Sequence, residues 1–186
     1  GFWRKDLKLK ETIAIEKALM IMTEQNRTFG CPEVTIGWYG NKRVDFMETN
    51  TRGLIKCYEI KVTKSDFRSK HGHNFVGNYN YYAMTKDLYD KVKEDIPKEI
   101  GVLVLSGKFL IVAKKATYQK INNSQSLLLN LIRSMSREVK KSFDSKDLST
   151  LSYLKREISK LKKSLSSAEK EVRDLRREST KLHRKK

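Results

Sequence analysis

The spacing of apolar residues changes twice along the chain. Between residues 10 and 25, Ile15, Leu19 and Met22 recur at helical spacing and predict one amphipathic helix. Short alternating segments separated by turn residues follow, and they predict strands and short helices up to about residue 115. Beyond residue 120 the chain contains neither glycine nor proline, as an uninterrupted helix requires.

The alternating part predicts six strands and two short helices after the first helix. The predicted strands cover residues 34–39, 43–47, 54–62, 80–85, 101–105 and 109–113. The predicted short helices cover residues 65–70, with Ser65 as the N-cap, and 86–94. We expect Gly30 and Pro32 to end the first helix, and Gly40-Asn41 to form a hairpin turn. This order predicts an α/β domain over residues 1–118, with a mixed sheet flanked by helices.

The C-terminal part has a stricter pattern. From Leu151 onward the apolar positions alternate three and four residues apart, which is the heptad pattern of a left-handed coiled coil. In a parallel pair, acidic g positions would face basic e positions of the other helix, as Glu157 with Lys162 and Glu171 with Arg176. We predict a helical linker at 119–146 and a basic coiled coil at 147–186, which joins the chain to a second copy or to a partner protein. An amphipathic helix that lies on its own domain is the alternative.

Composition narrows the choice of partners and compartment. The chain holds 40 Lys and Arg against 22 Asp and Glu, a net charge of +18, which favours a polyanion such as DNA as partner. No apolar stretch is long enough to span a membrane, and no secretory signal is visible. The two cysteines, Cys31 and Cys57, are too few for a disulfide scaffold. We therefore expect a reduced, cytoplasmic protein with no membrane partner.

One group of residues has the chemistry of a metal site. Asp45 closes one predicted strand, and Glu59-Ile60-Lys61 lies near the end of the next. Residues two apart share a face of a strand, so Glu59 and Lys61 lie together, and the adjacent strand brings Asp45 beside them. Two carboxylates favour Mg²⁺ or Mn²⁺ between them, with the Ile60 carbonyl as a further ligand and Lys61 orienting an attacking water. An exposed Glu59–Lys61 ion pair without further function is the alternative.

These residues resemble the motif of the PD-(D/E)XK nuclease superfamily, in which an Asp on one strand precedes (Asp/Glu)-x-Lys on the next. Val44 stands at the position of the proline that names the motif. A closer similarity is to the MmcB-related DNA-repair proteins and their phage counterparts. It rests on the segments Pro32-Glu33-Val34, Arg43-Val44-Asp45, Glu59-Ile60-Lys61 and Ser65-Asp66-Phe67, and Arg68 and Lys70 extend it. The resemblance implies a restriction-endonuclease-like fold over residues 10–115, in a bacterial or phage-encoded protein of DNA repair or phage DNA metabolism.

The resemblance also implies roles for individual residues of a Mg²⁺- or Mn²⁺-dependent deoxyribonuclease. The implied catalytic residues are Asp45, Glu59, Lys61 and, from the first helix, Glu16, with Glu11 as second choice. The implied metal ligands are Asp45, Glu59 and the carbonyl of Ile60. Three basic residues after the motif strand are expected to contact DNA phosphates, namely Lys64, Arg68 and Lys70. The alternatives are a non-cleaving DNA-binding protein with a nuclease-like fold and a coiled-coil adaptor.

Overall fold

The structure of the protein is a computed structural model that describes residues 10–37, 42–69, 72–146 and 148–183. Its helices are α1 (Lys10–Asn26), α2 (Lys64–Arg68), α3 (Lys86–Val92), α4 (Ser124–Lys146) and α5 (Leu148–His183). Its strands are β1 (Phe29–Ile36), β2 (Lys42–Thr49), β3 (Ile55–Lys61), β4 (Tyr79–Thr85), β5 (Gly101–Ser106) and β6 (Phe109–Lys114). The predicted turn at Gly40-Asn41 and the predicted DNA contact Lys70 lie outside the described residues.

The six strands form one mixed sheet in which the spatial order equals the chain order. β1, β2 and β3 are antiparallel neighbours, β3, β4 and β5 run parallel, and β6 returns antiparallel to β5. Parallel neighbours need a crossover connection, and here the segments that carry α2 and α3 provide it. The predicted α/β class, with a mixed sheet, flanking helices and a long C-terminal helix, is therefore confirmed.

Helix α1 covers one face of the sheet. Its buried residues Ile15 and Leu19 pack against Phe46 of β2 and against Tyr58 and Ile60 of β3. Because side chains alternate along a strand, the neighbours of Ile60 on β3 point to the other face.

The opposite face carries two separate apolar clusters. In one, Leu88 of α3 packs with Met84 of β4. In the other, Leu127 and Leu131 of α4 pack with Cys57 of β3. The side chains of this face of β3 therefore lie between the residues covered by α3 and those covered by α4.

The beginning of α4 belongs to the globular part of the chain. The sequence assigned all of 119–146 to a linker, whereas Leu127 and Leu131 are buried in the core. The first of two compact units ends at Arg137, and the second covers Glu138–Lys186. Because α4 contains no glycine or proline, its sequence does not indicate the residue at which its packing against the sheet ends.

Two element boundaries differ from the prediction. β1 begins at Phe29 instead of residue 34, because Pro32 lies in an edge strand, where a missing N–H is tolerated. The N-cap of α2 is Thr63 and not Ser65, since the Thr63 side chain accepts the backbone N–H of Asp66 at 3.1 Å.

Helix α5 is 36 residues long, and those apolar heptad positions whose side chains are described, from Leu154 to Leu175, are exposed. The coiled coil itself stays a prediction. Among the described residues, no helix has both the length and the apolar character needed to cross a membrane.

Candidate functional site

Strands β2 and β3 part just before the predicted metal ligands. Their pairing ends with Phe46 opposite Tyr58, so Asp45 and Glu59 lie at the open end. The Oδ2 atom of Asp45 accepts a hydrogen bond from the backbone N–H of Ile60 at 2.8 Å. The N–H and C=O of one strand residue point toward the same neighbouring strand, so the Ile60 carbonyl also faces Asp45. One carboxylate and one backbone carbonyl are thus directed to the same opening.

Glu59 contributes a second carboxylate, which is completely buried. Its Oε1 atom accepts the backbone N–H of Asn74 at 3.1 Å. Its Oε2 atom is buried and has no hydrogen-bond partner among the residues that the structure describes. A buried polar atom without a partner costs about 1–3 kcal/mol, and more when it is charged. Burial of the Glu59 side chain at this position therefore lowers the stability of the folded protein.

Lys61 lies on the same face of β3, with its side chain 3% exposed. Its Nζ atom lies 3.5 Å from Oδ1 of Asp66 on α2. The loop after α2 passes over both Lys61 and Glu59 at Gly72, whose φ is +72°. A Cβ atom at position 72 would lie 2.8 Å from Lys61 Nζ and 3.2 Å from Glu59 Oε2. Glycine therefore allows the loop backbone to close over the ammonium and carboxylate groups.

Burial raises the pKa of both carboxyl groups, and the negative charge of Asp45 raises that of Glu59 further. The pKa of Glu59 rises to about 8, first because burial removes water and second because Asp45 is negatively charged. The pKa of Asp45 is also raised by burial, although the Ile60 N–H and the charge of Lys61 oppose the shift. At neutral pH the pair therefore holds a proton unless a cation takes its place.

Tyr82 of β4 lies opposite Glu59 in the parallel register. Its hydroxyl oxygen is 2.6 Å from Nδ1 of His73, and Nε2 of His73 is 2.8 Å from the carbonyl oxygen of Ser69. A carbonyl oxygen only accepts, so Nε2 of His73 donates to Ser69, and Nδ1 is left to share a hydrogen bond with the Tyr82 hydroxyl. Burial, followed by the charge of Glu59, raises the pKa of Tyr82 to about 12, which keeps this hydroxyl protonated. These bonds attach the loop that covers the site to the sheet.

The donor set fits a hard divalent cation. Two carboxylates and one carbonyl oxygen are available, and one carboxylate oxygen lacks a partner. Oxygen donors favour Mg²⁺ or Mn²⁺, which keep several waters. Within the described ranges, no group of three or more His, Cys, Asp or Glu side chains is arranged to hold a metal ion. The protein would therefore supply the side chains of Asp45 and Glu59 and one backbone oxygen, that of Ile60.

The same face of β3 also carries a sulfur atom. Cys57 lies two residues before Glu59 and is buried, and burial raises the pKa of its thiol to about 12. At neutral pH this side chain is therefore an uncharged thiol.

Glu16, the predicted helix carboxylate, is half-buried on α1. It lines a cavity of about 460 Å³ together with Ile13, Lys17, Met20, Ile21 and Pro32. Helix α1 packs on the face toward which Ile60 points, whereas Glu59 points to the opposite face. The structure thus brings Asp45, Glu59, Ile60 and Lys61 together, and Glu16 lines the cavity beside α1.

The predicted phosphate contacts lie on α2, directly after the strand that carries Lys61. Lys64 and Arg68 are both exposed. Arg68 Nη2 lies 3.1 Å from Asp95 Oδ2 in a pair exposed to solvent. Such pairs contribute only about 0–1 kcal/mol, so Arg68 can exchange this carboxylate for a phosphate at little cost.

Sequence reasoning missed the part that the loop plays. Asn74 acts through its backbone N–H, a group that every residue except proline has, so no residue type could have indicated it. Gly72 offered a weak signal, because a glycine shortly after a charged motif is consistent with close approach of the backbone.

The comparisons with known proteins bear on the fold alone. No protein-family model matches the chain, and no curated protein is significantly similar to it in sequence. The chain is similar in structure to a protein of unknown function from Silicibacter pomeroyi, with a TM-score of 0.59 and 17% sequence identity. The match covers 75% of this chain and 92% of the other.

Proposed function

We propose that this protein is a metal-dependent endonuclease that hydrolyses DNA phosphodiester bonds, of the PD-(D/E)XK type. The observation that carries the proposal is the buried Oε2 atom of Glu59, for which the described part of the chain provides no hydrogen-bond partner. The negative charge of Asp45 raises the pKa of Glu59. The ammonium group of Lys61 lies near the same carboxyl group, beneath Gly72. Burying two carboxylates together is costly unless a cation compensates them. We propose that the protein acts in DNA repair or in phage DNA metabolism.

In the proposed enzyme Asp45, Glu59 and the Ile60 carbonyl hold Mg²⁺ or Mn²⁺. The bound ion would stabilise negative charge that develops on the phosphate and on the leaving oxygen. Lys61 orients the attacking water through its ammonium protons, and Asp66, 3.5 Å from its Nζ atom, holds the ammonium in position. Glu16 retains its predicted supporting role as part of this proposal.

Charge supports DNA as the substrate. The net charge of +18 provides affinity for a polyanion that decreases steeply with salt. Lys64 and Arg68 are exposed on the helix that follows the proposed site, where phosphates would be held. These contacts carry no base specificity, so the proposal extends to single-stranded, duplex and branched DNA alike.

The test is cleavage of labelled single-stranded, duplex and branched DNA in Mg²⁺, in Mn²⁺ and in EDTA. We expect cleavage with either metal and none in EDTA. Asp45→Asn and Lys61→Met should lower the rate by roughly 100-fold or more, because each removes a group that acts on the developing charge or on the water. Asp90→Asn, which changes an exposed carboxylate on α3, should leave the rate unchanged. Cleavage that persists in folded Asp45→Asn protein would contradict the proposal.

A non-cleaving DNA-binding protein is the second candidate, favoured by the closure of the loop at Gly72 over Glu59 and Lys61. In that case the wild-type protein would bind DNA in a gel-shift assay without cutting it in either metal. Asp45→Asn would then leave the affinity for DNA unchanged.

A further inference from the structure

Helix α5 carries an apolar seam along its length. The seam residues with described side chains are Leu154, Ile158, Leu161, Leu165, Ala168, Val172 and Leu175. The six larger ones are between 48% and 68% exposed. A continuous exposed row of large aliphatic side chains is unusual for a monomer and typical of an interaction surface.

The residue types along the seam favour a two-stranded coiled coil. The β-branched residues Ile158 and Val172 occupy a positions, while Leu154, Leu161 and Leu175 occupy d positions. This combination favours dimers over trimers and tetramers.

The opposite face of α5 is basic. The f positions, which point away from the seam, hold Arg156, Lys163 and Lys170. With charges on that side and polar residues at the flanks, the apolar stripe is as narrow as a single partner helix requires.

The charges beside the seam identify the partner. In a parallel, in-register pair of identical helices, a g residue faces the e residue five positions later in the other chain. Glu157 then meets Lys162, and Glu171 meets Arg176. An antiparallel pair would place g opposite g, where Glu157 and Glu171 meet no basic residue in the described stretch, and e opposite e, where Glu169 is the one acidic residue beside the basic ones at the described e positions. Two copies of this chain are therefore enough to form both complementary pairs, without a different partner protein.

We propose that α5 forms a parallel, in-register coiled coil with α5 of a second copy of this chain. The N-terminal ends of the two α5 helices then lie together, so both globular units attach at the same end of the paired helices. The proposal is independent of nuclease activity.

Sedimentation equilibrium of the full chain tests the association. We expect a mass twice the 21.7 kDa of one chain at micromolar concentration. Glu157→Lys should raise the dissociation constant about tenfold, because two attractive pairs become repulsive, and the double variant Glu157→Lys/Lys162→Glu should restore it. Lys163→Glu, a charge reversal at an f position, should have no effect. A monomer at these concentrations, or failure of the double variant to recover, would overturn the proposal.

Disulfide trapping tests the orientation. Leu154→Cys lies near one end of the seam, so it faces itself only in the parallel, in-register arrangement, and oxidation should link the two chains. Arg156→Cys points outward and serves as the matched control, and the native thiols Cys31 and Cys57 are buried. A dimer that links through neither position, or equally through both, would overturn the parallel register.

Discussion

Glu48 of β2 and Glu59 of β3 are both buried, but only Glu48 has partners for both of its oxygens. Oε1 of Glu48 accepts a hydrogen bond from the Tyr58 hydroxyl at 2.8 Å and forms a salt bridge with Nζ of Lys56 at 3.0 Å, and Oε2 accepts a hydrogen bond from Thr28 at 2.9 Å. Glu59 has one backbone donor, and its other oxygen has no partner among the described residues. The two glutamates are therefore alike in burial and differ in how far their hydrogen-bonding capacity is met.

The surroundings of the two glutamates explain this difference. Tyr58, which donates to Glu48, stacks on Tyr81 with ring centroids 5.7 Å apart, on the face covered by α1. Glu59 lies on the opposite face, next to a second carboxylate. The first arrangement is a closed polar network in an apolar layer, and the second is an arrangement that an external cation would complete.

The largest expected effect concerns the pH dependence of stability without metal. The pKa of Glu59 is about 8 in the folded protein against 4.5 for the unperturbed group, so the folded state keeps a proton that the unfolded state loses. The free energy of unfolding should therefore fall as the pH rises from about 4.5 to about 8. Relative to Glu59→Gln, the fall should be of the order of 3–5 kcal/mol.

Urea unfolding of both proteins in EDTA across this pH range measures the difference. Asp90→Asn should retain the wild-type pH profile, because it changes an exposed carboxylate. Saturating Mg²⁺ should abolish the fall, since a bound cation keeps the pair ionised. Parallel profiles for wild type and Glu59→Gln would show that the Glu59 carboxyl is not strained by burial.

The second prediction concerns the sign of two matched substitutions. Glu48→Gln should lower the free energy of unfolding by about 2–4 kcal/mol, because Tyr58 and Lys56 lose a charged acceptor. Glu59→Gln should raise it at pH 8, because the costly buried carboxyl is removed. Urea unfolding at pH 8 in EDTA measures both free energies. A shift in the same direction for the two substitutions would contradict the difference that we infer between Glu48 and Glu59.

Sequence reasoning located the candidate site but not the loop that covers it. Asp45 and Glu59-Ile60-Lys61 could be placed together because alternation along two adjacent strands is a local property. The hydrogen bond from Asn74 to Glu59 depends on the path of a loop, which alternation does not encode. The position of Glu16 relative to the sheet could not be predicted either. The helical period shows which side of α1 packs on the sheet, but not where along the sheet the helix lies.

The element boundaries in the structure differ from the predicted ones where tertiary packing outweighs the local sequence pattern. Gly30 and Pro32 were expected to follow the first helix without belonging to a strand, but they lie in the edge strand β1, which pairs on one side only. Leu127 and Leu131, four residues apart, pack on the sheet, whereas the continuous polar and apolar pattern of their helix suggested a linker.

The smallest expected effect separates backbone strain from contact at the site. Gly72→Ala should lower stability by about 1–2 kcal/mol through its positive φ, and should also displace Lys61, lowering proposed nuclease activity. Gly53→Ala has the same strain, with φ +75°, but its added Cβ meets nothing within 4 Å. It should therefore lose similar stability and keep full activity. Equal activity of the two variants, measured by DNA cleavage, would show that the loop does not constrain Lys61.

The buried sulfur of Cys57 has a consequence for the chemistry at this end of β3. A thiol with a pKa of about 12 carries no negative charge at neutral pH, although it lies only two residues from Glu59. The thiolate is the form that attacks alkylating reagents and oxidants. Cys57 should therefore react slowly with such reagents for as long as the protein stays folded.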